Sequence, residues 1–122
     1  MDLITALIVD DSLFMRKFIG EVVEDIGCTD IYFAKDGIEA LRMSMKLKPD
    51  LVTLNITMPN MNGIDVIEKM LEISPESKII MISAIHDGST VQRAMNKGIV
   101  SYIPKPFERN SLKGILRYHF KC

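Results

Sequence analysis

Polar and charged side chains follow four apolar segments of this 122-residue chain. They comprise two carboxylates, an amide, a hydroxyl and an ammonium group, at Asp10, Asp11, Asn55, Ser83 and Lys105. Adjacent carboxylates raise each other's proton affinity unless a cation neutralises them, and hard oxygen ligands of this kind suit Mg²⁺. A hydroxyl and an ammonium group suit phosphoryl oxygens. The set therefore indicates cation and phosphate chemistry, but it lacks a nucleophile.

The segments that must position these side chains alternate between strand-like and helix-like patterns along the whole chain. Strands are predicted at 3–9, 30–34, 51–54, 78–83 and 100–103. Helices are predicted at 12–26, 36–47, 63–73, 88–97 and 110–120. Strict alternation favours a doubly wound α/β fold, with a parallel five-stranded sheet covered by helices on both faces. If strands one, three, four and five are neighbours, the polar residues converge at one edge of the sheet.

Local signals define how the helices begin and which side they bury. Ser12 is placed to cap the first helix, in which Phe14, Phe18, Val22 and Ile26 recur at near-helical spacing until Gly27. The segment 36–39 has the spacing of a capping box for the second helix. The expected inner face of that second helix consists of Ala40, Leu41 and Met45.

Length and composition narrow the classes of protein. A chain of 122 residues with 48% hydrophobic and 25% charged residues predicts a single globular domain over 1–122. A net charge of -1 argues against direct nucleic-acid binding. The start of the chain lacks a signal peptide pattern and no apolar run has the length of a membrane span, so we expect a cytoplasmic protein without membrane contact. Cys28 and Cys122 lack metal-type spacing and are expected to be reduced thiols.

Several short motifs together resemble the receiver domain of two-component response regulators, of the CheY type. They are the segment 9–12, the segments 54–59 and 61–63, the pair 83–84, and Tyr102 with the segment 105–107. Each is weak alone, but their order and separation match the family over essentially the whole chain. The resemblance implies a flavodoxin-like sheet with strand order 2-1-3-4-5.

The resemblance also implies a metal site and a switch. Asp11 matches the direct Mg²⁺ ligand, Asp10 its partner that acts through water, and Thr57 the residue whose carbonyl group completes the site. Ser83 matches the hydroxyl that hydrogen-bonds the phosphoryl group, and Lys105 the ammonium group that pairs with it.

The partners and the switch motion follow from the same resemblance. Tyr102 matches the aromatic residue that turns inward on activation, and the peptide bond between Lys105 and Pro106 is expected to be cis. A sensor histidine kinase would donate the phosphoryl group. A target protein would bind the face formed by the fourth helix, fifth strand and fifth helix.

Asn55 departs from the family because it occupies the position of the phosphoacceptor aspartate. An amide is neutral and weakly nucleophilic, so Asn55 is not expected to be phosphorylated. Loss of one carboxylate should also weaken Mg²⁺ binding, with the amide oxygen left as a weak ligand. We favour a substitution engineered to hold a receiver unphosphorylated; the alternative is a natural atypical receiver that binds partners without phosphate.

Enzymes and flavin proteins are the rival classes. Mg²⁺-dependent phosphohydrolases of the haloacid dehalogenase type place a second aspartate two residues after the nucleophile, where this chain has Ser12. Flavodoxins need a phosphate-binding loop after the first strand, where the acidic pair would repel phosphate. The sequence therefore favours a binding switch over an enzyme.

Overall fold

Five parallel strands form one sheet in the order β2-β1-β3-β4-β5. A computed structural model describes residues 4–58, 62–84 and 87–120, so Leu3 and the motif residues Pro59 to Met61 lie outside the description. The strands are β1 Thr5–Val9, β2 Asp30–Ala34, β3 Leu51–Asn55, β4 Lys78–Ser83 and β5 Ser101–Pro104. The doubly wound fold and its strand order are confirmed.

Five helices cover the two faces of this sheet. They are α1 Leu13–Asp25, α2 Gly37–Leu47, α3 Gly63–Ile73, α4 Gly88–Lys97 and α5 Arg109–His119. One core lies between the sheet and α2, α3 and α4, and includes Ala40, Ile67 and Ala94. The second lies between the sheet and α1 and α5, and includes Val22 and Leu112. Each central strand is therefore buried on both sides, as a parallel sheet requires.

The helix starts agree with the sequence signals. The Ser12 hydroxyl accepts a hydrogen bond from the Met15 N–H at 3.2 Å, and the Asp36 carboxylate accepts one from the Glu39 N–H at 2.8 Å. Gly98 ends α4 in a left-handed conformation, with φ of 112°. Ser12 and Asp36 fix where two loops at the carboxyl edge end, and Gly98 ends α4 at the opposite edge of the sheet.

One expectation about buried residues is wrong. Met45 was expected on the inner face of α2, but its side chain is 61% exposed, and Ser44 is fully buried instead. The buried stripe of α2 therefore passes through Ala40 and Ser44, which are four residues apart and small enough for close packing.

Cys28 also differs from expectation, because it is disulfide-bonded rather than a reduced thiol. Its side chain is buried in the α1 and α5 core. Cys122 lies outside the described residues.

Candidate functional site

The carboxyl edge of the sheet brings the predicted polar residues together. Asn55 ends β3 and is 3% exposed. It pairs in register with Ile82, the residue before Ser83 at the end of β4. Asp10 directly follows β1, on the other side of β3. The central strands thus deliver a carboxylate, an amide and a hydroxyl to one place.

Asp10 is the anchor of the site. It is fully buried, and its two carboxylate oxygens accept hydrogen bonds from the Ser12 N–H at 2.9 Å and the Lys105 ammonium group at 3.1 Å. The Asp10 N–H donates to the Ala34 carbonyl at 3.1 Å. The Arg16 guanidinium group donates to the Asp10 carbonyl at 2.7 Å. Sequence reasoning missed Arg16, whose only signal was a cation near the start of α1.

Asn55 joins the third strand to Asp11. Its side-chain oxygen Oδ1 accepts a hydrogen bond from the Thr57 N–H at 3.0 Å. Its amide nitrogen Nδ2 lies 3.4 Å from Asp11 Oδ1 and donates to it. The Thr57 N–H is a donor, so the atom facing it must be the oxygen, and the amide N–H₂ group must face Asp11.

The remaining predicted residues lie on the β4 and β5 side. The Thr57 and Ser83 hydroxyl groups are 3.2 Å apart, and Ser83 is fully buried. Tyr102 is half-buried and packs against the core beneath α2, α3 and α4. The peptide bond between Lys105 and Pro106 is cis, as expected. Asp11, Asn55 and Lys105 therefore lie in one cluster at the carboxyl edge of the sheet.

A divalent cation does not fit this arrangement as it stands. Among the described residues, no group of three or more Asp, Glu, His or Cys side chains is placed to hold a metal ion. Both Asp10 oxygens already accept hydrogen bonds. The Asn55 group that faces Asp11 is a donor and offers a cation no lone pair. Asp11 and the Thr57 carbonyl remain as the better oxygen donors.

An aromatic groove with a volume of about 410 Å³ lies beside the site. It is lined by Phe14, Met15, Phe18, Ala84, Lys105, Pro106 and Phe107. The rings of Phe14 and Phe18 stack with centroids 6.5 Å apart, and those of Phe18 and Phe107 are 5.8 Å apart. Phe14 is 76% exposed, so its ring forms the rim of this groove rather than part of the core.

Comparison with known proteins agrees with this geometry. The model of the response regulator receiver domain family matches residues 6–117. The chain therefore belongs to the family of response regulator receiver domains.

Several similar proteins are chemotaxis proteins named CheY. The chain is 42% identical to chemotaxis protein CheY of Thermotoga maritima over 102 residues, which cover 84% of this chain and 85% of that protein. It resembles the CheX-CheY-BeF3-Mg²⁺ complex structure from Borrelia burgdorferi with a TM-score of 0.86 and 34% identity, covering 97% of this chain and 90% of the matched chain.

Some similar proteins are enzymes, and the chain matches about a third of their length or less. The chain is 36% identical to the protein-glutamate methylesterase/protein-glutamine glutaminase of Thermotoga maritima over 111 residues, covering 89% of this chain and 32% of that protein. CheY-like receiver domains are typically signalling modules without enzymatic activity, and they generally bind Mg²⁺ in their acidic pocket. Within the described residues, no helix has the length and apolar character needed to cross a membrane.

Proposed function

We propose that this chain is a CheY-type receiver module of a two-component system whose binding state is not set by phosphorylation of Asn55. The observation that carries the proposal is the position of Asn55 at the end of β3, between Asp11 and Thr57. A carboxylate there would be the acyl phosphate acceptor, but an amide lacks the charge and nucleophilicity for that step. The chain acts as a binding module and has no turnover of its own.

The roles proposed for the other site residues come from the family resemblance, and the placement of these residues supports them. Lys105 and Ser83 are the groups that would contact a phosphoryl group in an acceptor-competent form, and Asp10 now holds the Lys105 ammonium group. Ser83 and Tyr102 form the switch that a phosphoryl group would shift between two populations. Without that group, the chain should populate mostly the inactive form.

The partners follow from the same assignment. A sensor histidine kinase is the phosphodonor of the acceptor-competent form, and both proteins lie in the cytoplasm. A target protein binds the face formed by α4, β5 and α5. Tyr118 on this face is 85% exposed and Met95 is 49% exposed, which supports a contact surface there. An engineered origin and a natural atypical receiver predict the same biochemical behaviour.

Phosphorylation is tested directly with the Asn55→Asp variant. Both proteins are incubated with a small phosphodonor and Mg²⁺, and intact mass is measured. We expect the variant alone to gain one phosphoryl group, because only it has an ionised carboxylate at the acceptor position. Labelling of both proteins would identify another acceptor residue. Labelling of neither would show that the pocket is not a receiver site.

Mg²⁺ affinity should differ between the same two proteins. A unit charge about 4 Å from a cation contributes roughly 1 to 4 kcal/mol per charge on that cation, so Asn55→Asp should bind Mg²⁺ about tenfold more tightly or better. Isothermal titration of both proteins with MgCl₂ provides the measurement. Equal affinities would refute the expectation.

A further inference from the structure

The Asn55 amide group does more than lack the charge of a carboxylate, an inference that rests on the proposed function. We infer that the Asn55 N–H₂ group takes the place of a divalent cation on Asp11 Oδ1. The amide donates to Asp11 Oδ1 at 3.4 Å, on the side where a cation would need an oxygen lone pair. Asn55 then weakens cation binding in two ways: it lacks the charge of a carboxylate, and its N–H₂ group competes with the ion for Asp11 Oδ1.

The amide orientation is held by the backbone. If the amide turned by half a rotation, its oxygen would face Asp11 and its N–H₂ group would face the Thr57 N–H. That arrangement sets two donors against each other and loses the bond of 3.0 Å that the Thr57 N–H now donates. Asn55 is 3% exposed, so water has little access to compensate for that loss.

The other polar groups of the site already have protein partners. Asp10 accepts hydrogen bonds on both oxygens, one of them from the Lys105 ammonium group. The Thr57 and Ser83 hydroxyl groups contact each other. A cation entering the pocket would therefore displace the amide donor from Asp11, and it would also compete with the Lys105 charge for Asp10.

The Asn55→Ala variant distinguishes this inference from a simple effect of the missing charge. If Asn55 is a weak oxygen ligand, removing the side chain should weaken cation binding. If the amide blocks Asp11, removing it should strengthen cation binding by about threefold, the equivalent of one modest hydrogen bond. The native chain, Asn55→Ala, Asn55→Asp and the surface control Asn96→Ala are titrated with MgCl₂ and with MnCl₂.

We expect the affinities to rise in the order native, Asn55→Ala, Asn55→Asp, with Asn96→Ala equal to the native chain. An Asn55→Ala variant that binds more weakly than the native chain overturns the inference while leaving the proposed function intact. An Asn55→Asp variant that binds no better than the native chain overturns both.

A measurement on the native protein keeps the test valid if Asn55→Ala does not fold. The Asn55 side-chain ¹⁵N–¹H₂ resonances are followed as MgCl₂ is raised to the dissociation constant of Asn55→Asp, at which a native chain that binds about tenfold more weakly is largely unloaded. We expect these two resonances to stay in place, because the amide remains on Asp11. A saturable shift of both resonances would show that the amide turns or leaves, and it would overturn the inference.

Discussion

The Thr53 hydroxyl group lies in the central strand, two residues before Asn55, and is fully buried. It has no hydrogen-bond partner in the part of the chain that the structure describes. A buried polar group without a partner destabilises the folded state, because it gives up its hydrogen bonds to water on folding. The strand beneath the site therefore contains a hydroxyl group that lowers the stability of the folded chain.

Replacing Thr53 by valine keeps the side-chain shape and removes the unpaired hydroxyl. We expect Thr53→Val to raise the free energy of unfolding by about 1 kcal/mol. The matched control is Thr5→Val, whose hydroxyl donates to Asp30 at 2.8 Å, and which should lower stability by a similar amount. Urea unfolding of the three proteins measures both. Destabilisation by Thr53→Val would reveal an unrecognised partner of the hydroxyl.

The residues of the site could be named from the sequence, but their pairings could not. Polar residues at the ends of parallel strands must share an edge, so Asp10, Asp11 and Asn55 were predicted to meet. The pairing of Lys105 with Asp10 depends on side-chain reach across a loop, 95 residues away in sequence. Arg16 was missed because a single arginine on a helix carries no sequence signal for a backbone contact.

At the scale of the elements, α3 begins in close contact with the strand that carries Asn55. A Cβ atom added at Gly63 would lie 2.7 Å from Ile56 Cγ2 and 3.1 Å from Ile56 Cα. Ile56 directly follows Asn55, and its N–H donates to the Ile82 carbonyl at 3.2 Å. The absence of a side chain at Gly63 therefore lets the helix start against the backbone of the site.

A matched pair of glycine substitutions tests this contact. Gly63→Ala should lower the free energy of unfolding by about 1 to 3 kcal/mol, because the strand backbone cannot move away freely. Gly114→Ala, in the middle of α5 with open space around it, should raise it by about 0.5 to 1 kcal/mol. Thermal and urea unfolding report both changes. Equal effects of the two substitutions would contradict the close approach at Gly63.

The bounds of most helices and strands could be predicted from the sequence, but the buried face of α2 could not. The predicted strand 78–83 and helices 63–73 and 88–97 match β4, α3 and α4, because glycine, proline and capping residues mark their ends. The predicted inner face of α2 was wrong at Met45, because helical spacing allows either Ser44 or Met45 to face the sheet. Only packing against the sheet selects the smaller side chain.

At the scale of the whole molecule, the end opposite the site holds a titratable group. His119 ends α5, its backbone carbonyl accepts a hydrogen bond from the Lys78 ammonium group at 3.2 Å, and Lys78 lies 5.4 Å from the Phe120 ring centroid. Burial, and then the Lys78 charge, lower the pKa of His119 from its ordinary value of 6.5. The unfolded chain therefore binds this proton more readily than the folded chain does.

Stability should follow that difference in proton binding. The contribution of His119 is complete above the unfolded pKa and declines as the pH falls from about 6.5 towards the lower folded pKa. We expect the free energy of unfolding to decrease between about pH 7 and pH 5.5, and the His119→Gln variant to decrease less. Urea unfolding at both pH values provides the measurement. The same slope in both proteins would assign the effect to other groups.

The exposed aromatic rim beside the site provides a route to an optical assay. The chain contains no tryptophan, so Phe14→Trp would introduce one fluorophore at a position that is already 76% exposed. An indole there would keep the stack with Phe18 and remain outside the two cores. Its emission would then report on events at the carboxyl edge without background from any other indole in the protein.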